Sequence, residues 1–253
     1  MDQKQFRALL IELVGSFGLV FFSAGLVCVN ELATPADASG ASPMTRHQLG
    51  VFGVALGQGL ILAALLALTA PITGGFLNPA ITLMLWVFGR IETRMAGGLI
   101  FVQLLGSVLA AVCLYFTFHD GVLRVAQFGA PHVNPLAYHD GGQRALYAAV
   151  VLELVLTFFL VFAIFGLAGK DALHLGLVAG MIATVCALLG FALTGAALNP
   201  ARWLGPTLLD FLTSTGSRNP WADSLAYLAG PIVGALAGGY FVFKAYPTDD
   251  GKK

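Results

Sequence analysis

Six separate stretches of this chain are apolar over the length of a lipid bilayer. They run roughly over Leu9–Val29, Gln48–Thr69, Met95–Phe118, Ala145–Ala168, Ala172–Leu193 and Ser224–Phe243. A hydrocarbon core takes about 20 such residues as one helix. Within these stretches the carboxylates are Glu12 and Glu153, and the one imidazole is His174. The first stretch carries Glu12 and ends without a small-residue cleavage site, so it is read as a membrane span and not as a cleaved leader. Composition agrees: 58% of the chain is apolar and 10% charged, where soluble domains carry about 25% charged residues. Thirteen basic residues balance thirteen acidic ones. No net field draws polyanions, so nucleic acid is not an expected partner. Cys28, Cys113 and Cys186 lie far apart inside apolar runs. They read as small buried hydrophobes, with no metal site and no disulfide set.

Two further apolar segments are too short to span. One runs from Asn78 to about Phe88 and the other from Asn199 to about Leu212. That length suits a re-entrant segment. Each opens with small residues followed by Leu-Asn-Pro-Ala: Leu77-Asn78-Pro79-Ala80 and Leu198-Asn199-Pro200-Ala201. Asn is a favoured helix N-cap, and Pro is favoured at the first helical position. Each segment is therefore expected to be a half-helix entered through extended backbone.

The two openings stand 121 positions apart, and more than the tripeptide repeats. Ile11-Glu12-Leu13-Val14 matches Leu152-Glu153-Leu154-Val155, and each Glu precedes its Asn-Pro-Ala in the same order. The chain reads as one channel domain over 1–253, built from two copies at about 8–118 and 144–243. Each copy has three helices and a half-helix. Three is odd, so the second copy enters the membrane from the opposite side as an inverted repeat. The expected fold is an all-α membrane protein of six transmembrane helices plus two re-entrant half-helices. With the N-terminus inside, eight Lys or Arg residues face inward and four face outward, Arg202 set aside. That places both termini in the cytoplasm.

Non-helical backbone at membrane depth is tolerated only where protein or a water-filled cavity satisfies it. The stretches before Asn78 and Asn199 would expose carbonyls, and a column of carbonyls is a ladder of acceptors for a permeating molecule. Two helix N-termini meeting near the midplane create a positive potential that opposes cations. Asn78 and Asn199 would turn a passing water's oxygen toward their amides and interrupt a proton wire. Glu12 and Glu153 are costly in a membrane. Their symmetric placement points to support of each half's loop. The rival is a proton-coupled secondary transporter using one or both of them, and a second rival is a junction protein with a closed pore. Arg202, three residues after Asn199, is expected to point into the pore from the outer side. Ile81 stands at its counterpart. No catalytic constellation appears, so no enzymatic activity and no cofactor are expected.

Over essentially its whole length the chain resembles the major intrinsic proteins, the aquaporin and aquaglyceroporin family. The motifs are Glu12, Gly75-Phe76-Leu77-Asn78-Pro79-Ala80, Gln103, Glu153, Thr194-Gly195, Asn199-Pro200-Ala201-Arg202 and Gly205-Pro206. The resemblance implies a homotetramer in the lipid bilayer of a plasma (inner) membrane, with one pore per subunit passing water and small neutral solutes. It implies an outer filter at Gln58, Ala187, Ala196 and Arg202, and a pore wall including Leu19, Leu77, Leu160 and Leu198. Water-selective members carry Phe, His and a small residue with the Arg; glycerol facilitators carry aromatics and an Asp after the Arg. This chain has Gln58, Ala187 and Trp203 at the corresponding places. The pattern is most similar to nodulin-26-like plant channels and bacterial metalloid channels. Such a filter is expected to be wide and polar, suited to glycerol, urea, and boric or arsenous acid. In the alternative, Gln58 folds across to Arg202, or Trp203 or an outer-loop residue fills the space, and the pore passes mainly water.

Overall fold

The computed structural model describes residues 2–32, 49–137, 142–167, 171–213 and 219–246. Most of the stretch 30–47, and the charges Arg46, Lys170, Arg218, Lys252 and Lys253, lie outside the described residues. The helices are α1 (Gln3–Asn30), α2 (Gly50–Thr73), α3 (Pro79–Val87), α4 (Thr93–Thr117), α5 (Asp120–Ala126), α6 (Gly142–Gly166), α7 (Ala172–Thr194), α8 (Pro200–Thr213) and α9 (Ser224–Ala245). No strand occurs among the described residues.

The six long helices have 22 to 28 residues, about 33–42 Å at a rise of 1.5 Å per residue. The half-helices α3 and α8 have 9 and 14 residues. At the same rise they total about 35 Å, one bilayer between them. Asn78, in extended backbone, caps α3 by accepting from the Ala80 amide at 2.9 Å. Asn199 accepts from the Ala201 amide at 2.9 Å, and Pro79 and Pro200 open the two helices. α1 begins earlier than its apolar run because Asp2 and Gln5 form a reciprocal capping box. α2 runs on to Thr73 through Pro71, where the apolar pattern suggested a stop near Thr69. The short α5 in the 119–143 connection was not expected. His119 caps it by accepting from Gly121 N at 3.1 Å.

The architecture obeys the inverted repeat. α1 packs on α4 as α6 packs on α9, and α2 meets α7 between the halves. α3 lies against α4 and α9, and α8 against α4. Small residues make the crossings close. A Cβ on Gly106 of α4 would sit 2.6 Å from the Leu13 carbonyl oxygen of α1. Its counterpart, Gly234 of α9, is pressed against the Leu154 carbonyl of α6 in the same way. Without a hydrophobic drive between helices in lipid, such backbone approach is what packing relies on.

The outward faces are apolar as well. Phe52, Leu68, Phe101, Phe116 and Val185 are exposed, as suits helices surrounded by hydrocarbon. Cys28 and Cys186 are buried and free, but Cys113 is free and exposed. The expectation that all three are buried therefore fails at Cys113, which sits on an outward face of α4.

Candidate functional site

Both re-entrant loops are held by a buried carboxylate. Glu12 is wholly buried. Its Oε1 accepts from Thr73 Oγ1 at 2.7 Å and Phe76 N at 3.0 Å, and its Oε2 from Leu77 N at 2.8 Å. Glu153 repeats the pattern. Its Oε1 accepts from Thr194 Oγ1 at 2.7 Å and Ala197 N at 3.0 Å, and its Oε2 from Leu198 N at 2.8 Å. Glu12 also accepts from Gln103 Nε2 at 2.8 Å. Gln103 in turn pairs with Thr82 of α3. In the second half Pro231 stands at the position matching Gln103, and Gly230 beside it packs close to the Glu153 side chain.

Leu77 and Leu198 have φ of 47° and 53°. Left-handed backbone is costly for a residue with a side chain, and it persists only where the surroundings over-determine it. Here both ends of each residue are pinned. Each amide donates to its own half's Glu, as above. Each carbonyl accepts from the other half's Asn: Asn78 Nδ2 donates to Leu198 O at 2.9 Å, and Asn199 Nδ2 to Leu77 O at 2.8 Å. The two halves are thus tied crosswise where α3 and α8 begin. Each Asn amide nitrogen carries two hydrogens and uses one of them in this tie. Among the described residues, the carbonyls of Gly75, Phe76, Ala196 and Ala197 accept no protein hydrogen bond.

A narrow lumen passes this junction. It offers about 60 Å³ to a water-sized body and is bordered by Asn78, Asn199, Gln58, Ala196 and Arg202, with Leu19, Leu77, Leu160 and Leu198 on its wall. A wider vestibule of about 390 Å³ opens beyond, lined by Asn30, Glu31, Gly129, His132 and Asn134 among others. Arg202 borders both spaces and so marks the boundary between them. Its Nη1 donates to the Gly129 carbonyl at 2.7 Å. Gly129, at φ 69°, is pressed so tightly against the Ala24 backbone of α1 that a Cβ would collide there. Glycine is what lets that carbonyl reach Arg202.

Of the residues assigned to the filter, Gln58, Ala196 and Arg202 border the lumen. Ala187 is 1% exposed and sits in the core; Ala183, one turn earlier on α7, lines the lumen instead. No hydrogen bond joins Gln58 to Arg202 among the described residues, and the buried Gln58 Nε2 has no protein partner. Trp203 turns away from the lumen. It is 1% exposed, stacked on Tyr227 and edge-on to Trp221. Tyr227 Oη donates to the Thr194 carbonyl at 2.7 Å, tying that aromatic group to the start of the second loop. Ser23 of α1 and Phe76 also line the lumen and were missed. Ser23 lies one turn beyond Leu19, so extending the wall by helical spacing would have found it. No cluster of potential metal ligands occurs among the described residues.

Two half-helices meeting N-terminus to N-terminus beside a narrow lumen define a membrane channel of the inverted-repeat kind. Comparison with known proteins gives the family. The model of the major intrinsic protein family matches residues 1–242. The chain is 34% identical over 237 residues to Aquaporin TIP4-4 of Zea mays, covering 92% of this chain and 84% of that protein. It is 29% identical over 241 residues to Nodulin-26 of Glycine max, covering 92% and 76%. The X-ray structure of the aquaglyceroporin from Plasmodium falciparum superposes with a TM-score of 0.74 at 23% identity, covering 96% of this chain and 95% of that one. The chain belongs to the major intrinsic protein family. It is an integral multi-pass membrane protein and a passive channel for water and small solutes, not an enzyme.

Proposed function

We propose that this pore carries water together with small neutral hydroxylated or amide solutes, of the glycerol, urea, boric acid or arsenous acid type, and excludes ions and protons. The observation that carries the solute range is the lumen beside Arg202. Its side chains there are Ser23, Gln58, Ala183 and Ala196, two polar and two small, while the nearby rings of Trp203 and Tyr227 are packed into the core. A solute losing its water needs replacement hydrogen bonds. Gln58 offers a donor and an acceptor, and Arg202 offers donors while repelling cations. Ala187, packed in the core one turn beyond Ala183 on α7, is assigned to the filter from behind its wall, where a larger side chain would press into the lumen. Relatives named as Nodulin-26 and NIP-type aquaporins support this comparison.

Asn78 and Asn199 are assigned the central selection, with Pro79, Ala80, Pro200 and Ala201 holding the two helix starts in place. A passing molecule takes the second N–H of each amide, and the two helix N-termini repel cations. Glu12 and Glu153 are assigned to loop support. The working form is assigned as a homotetramer in a plasma membrane, both termini cytoplasmic.

The test is a swelling panel on purified protein in liposomes, with water, glycerol, urea, boric acid and arsenous acid. Ala187→His and Gln58→Phe are expected to lower solute flux while water flux persists. Wild-type protein that conducts water and none of the four solutes would refute this solute range.

A further inference from the structure

The side chains around the lumen are not alike on its two sides. Toward Arg202 they include Ser23 and Gln58; on the side of the membrane where α1 begins they are Leu66, Phe76, Ile81, Leu160 and Ile164. That second sector offers a solute no side-chain hydrogen bond. Phe76 is its one aromatic ring among the described lining residues. The ring is seated over Gly74, where a Cβ would come within 2.5 Å of Phe76 Cε1. Gly74 itself sits at φ 94°, so glycine serves both the turn and the seat. The Phe76 amide is held by Glu12 at 3.0 Å. The loop is therefore anchored through its backbone, whatever side chain stands at position 76.

We propose that Phe76 forms an apolar collar with these aliphatic walls, a second point of selection in the pore that acts separately from the filter at Arg202. The proposal rests on the chain being a conducting channel. Hydrophobic constrictions gate by dewetting. A molecule crossing the collar keeps only the loop carbonyls as partners, and an unpaired polar group in an apolar setting is costly. The collar therefore limits water flux, and the ring limits the width of the solutes that follow.

The experiment compares wild type, Phe76→Ala and Phe76→Trp in liposomes at equal reconstituted protein, checked by size-exclusion chromatography. Stopped-flow shrinkage gives water permeability, and swelling gives the flux of glycerol and of a four-carbon polyol. Phe76→Ala is expected to raise water permeability several-fold and to raise the four-carbon to glycerol flux ratio, with proton leak unchanged. Phe76→Trp is expected to lower water permeability several-fold. If either variant fails to reconstitute, Ile164→Ala on the α6 wall gives the same readout, with a rise in water permeability expected. Folded variants whose water permeability and polyol ratio stay within twofold of wild type would overturn the collar. A wild-type protein that conducts nothing would overturn the channel reading itself, which is a separate outcome.

Discussion

Glu153 gives the sharpest test of how the lumen is built. Its two oxygens accept from Thr194 Oγ1, Ala197 N and Leu198 N, all within 3.0 Å, and the residue is wholly buried. Glu153→Ala leaves two backbone amides and a hydroxyl facing a void. A buried donor left unpaired costs about 1–3 kcal/mol, so the two amides alone give roughly 2–6 kcal/mol. Leu198 is also released at its amide end, and its left-handed backbone then loses half of what holds it. Glu153→Gln keeps one carbonyl oxygen and turns an NH2 toward a donor. It should cost about one unpaired group, roughly 1–3 kcal/mol, and fall between wild type and Ala. The assay is thermal unfolding in detergent, followed by size-exclusion chromatography, with water permeability of the survivors measured across pH. Glu153→Ala with an unchanged melting temperature would refute the supporting role. A Gln variant that folds normally and changes only the pH dependence of flux would instead make Glu153 a proton relay.

Asn199→Asp places a negative charge between two helix N-termini. It is expected to add a cation or proton leak while the protein still inserts, read by voltage clamp; no added leak would count against the electrostatic barrier. Tyr227→Phe removes the hydroxyl that holds the Thr194 carbonyl at 2.7 Å. The expected result is a shift in the solute to water flux ratio with little loss of folded protein. Gly106→Leu should abolish the folded channel, because a Cβ there already lies 2.6 Å from the Leu13 carbonyl; a normal yield would show that α1 and α4 do not cross so closely. Asp171 caps α7, and its hydrogen bond from the His174 side chain, then those from the Leu173 and His174 amides, hold its carboxyl below the usual range. A lowered folded value means the cap is present in full above the ordinary carboxylate pKa and is lost as pH falls through the lowered one. Hydrogen exchange at the Leu173 and His174 amides should therefore stay protected at mildly acidic pH and open only below it.

Much of this arrangement was legible in the residues. The apolar runs are as long as the bilayer, and each half-helix announces its start with Asn and Pro. The two Glu residues sit at matching positions. What was not legible shares a physical cause. The long helices are apolar all round, facing lipid on one side and other helices on the rest. Periodicity then says little about which face borders the lumen. That is why Ala183 and not Ala187 lines it, and why Phe76 passed unnoticed inside a motif noted for its neighbours. The crosswise bonds between Asn78 and Leu198 and between Asn199 and Leu77 join residues far apart in the chain. They exist only once the two halves have met. Close crossings at Gly106 and Gly234 depend likewise on which helices become neighbours, and lone glycines do not encode that.

The central claim is that the lumen between the two Asn-capped half-helices is an open, passive path for neutral molecules. Stopped-flow light scattering on liposomes holding the purified wild-type chain tests it most directly, run with an imposed pH gradient and a neutral solute on both sides. The account predicts shrinkage well above that of empty liposomes, solute flux that stops at equal concentration, and no dissipation of the pH gradient. Shrinkage no faster than empty liposomes, or solute accumulated against its gradient as protons flow, would contradict it.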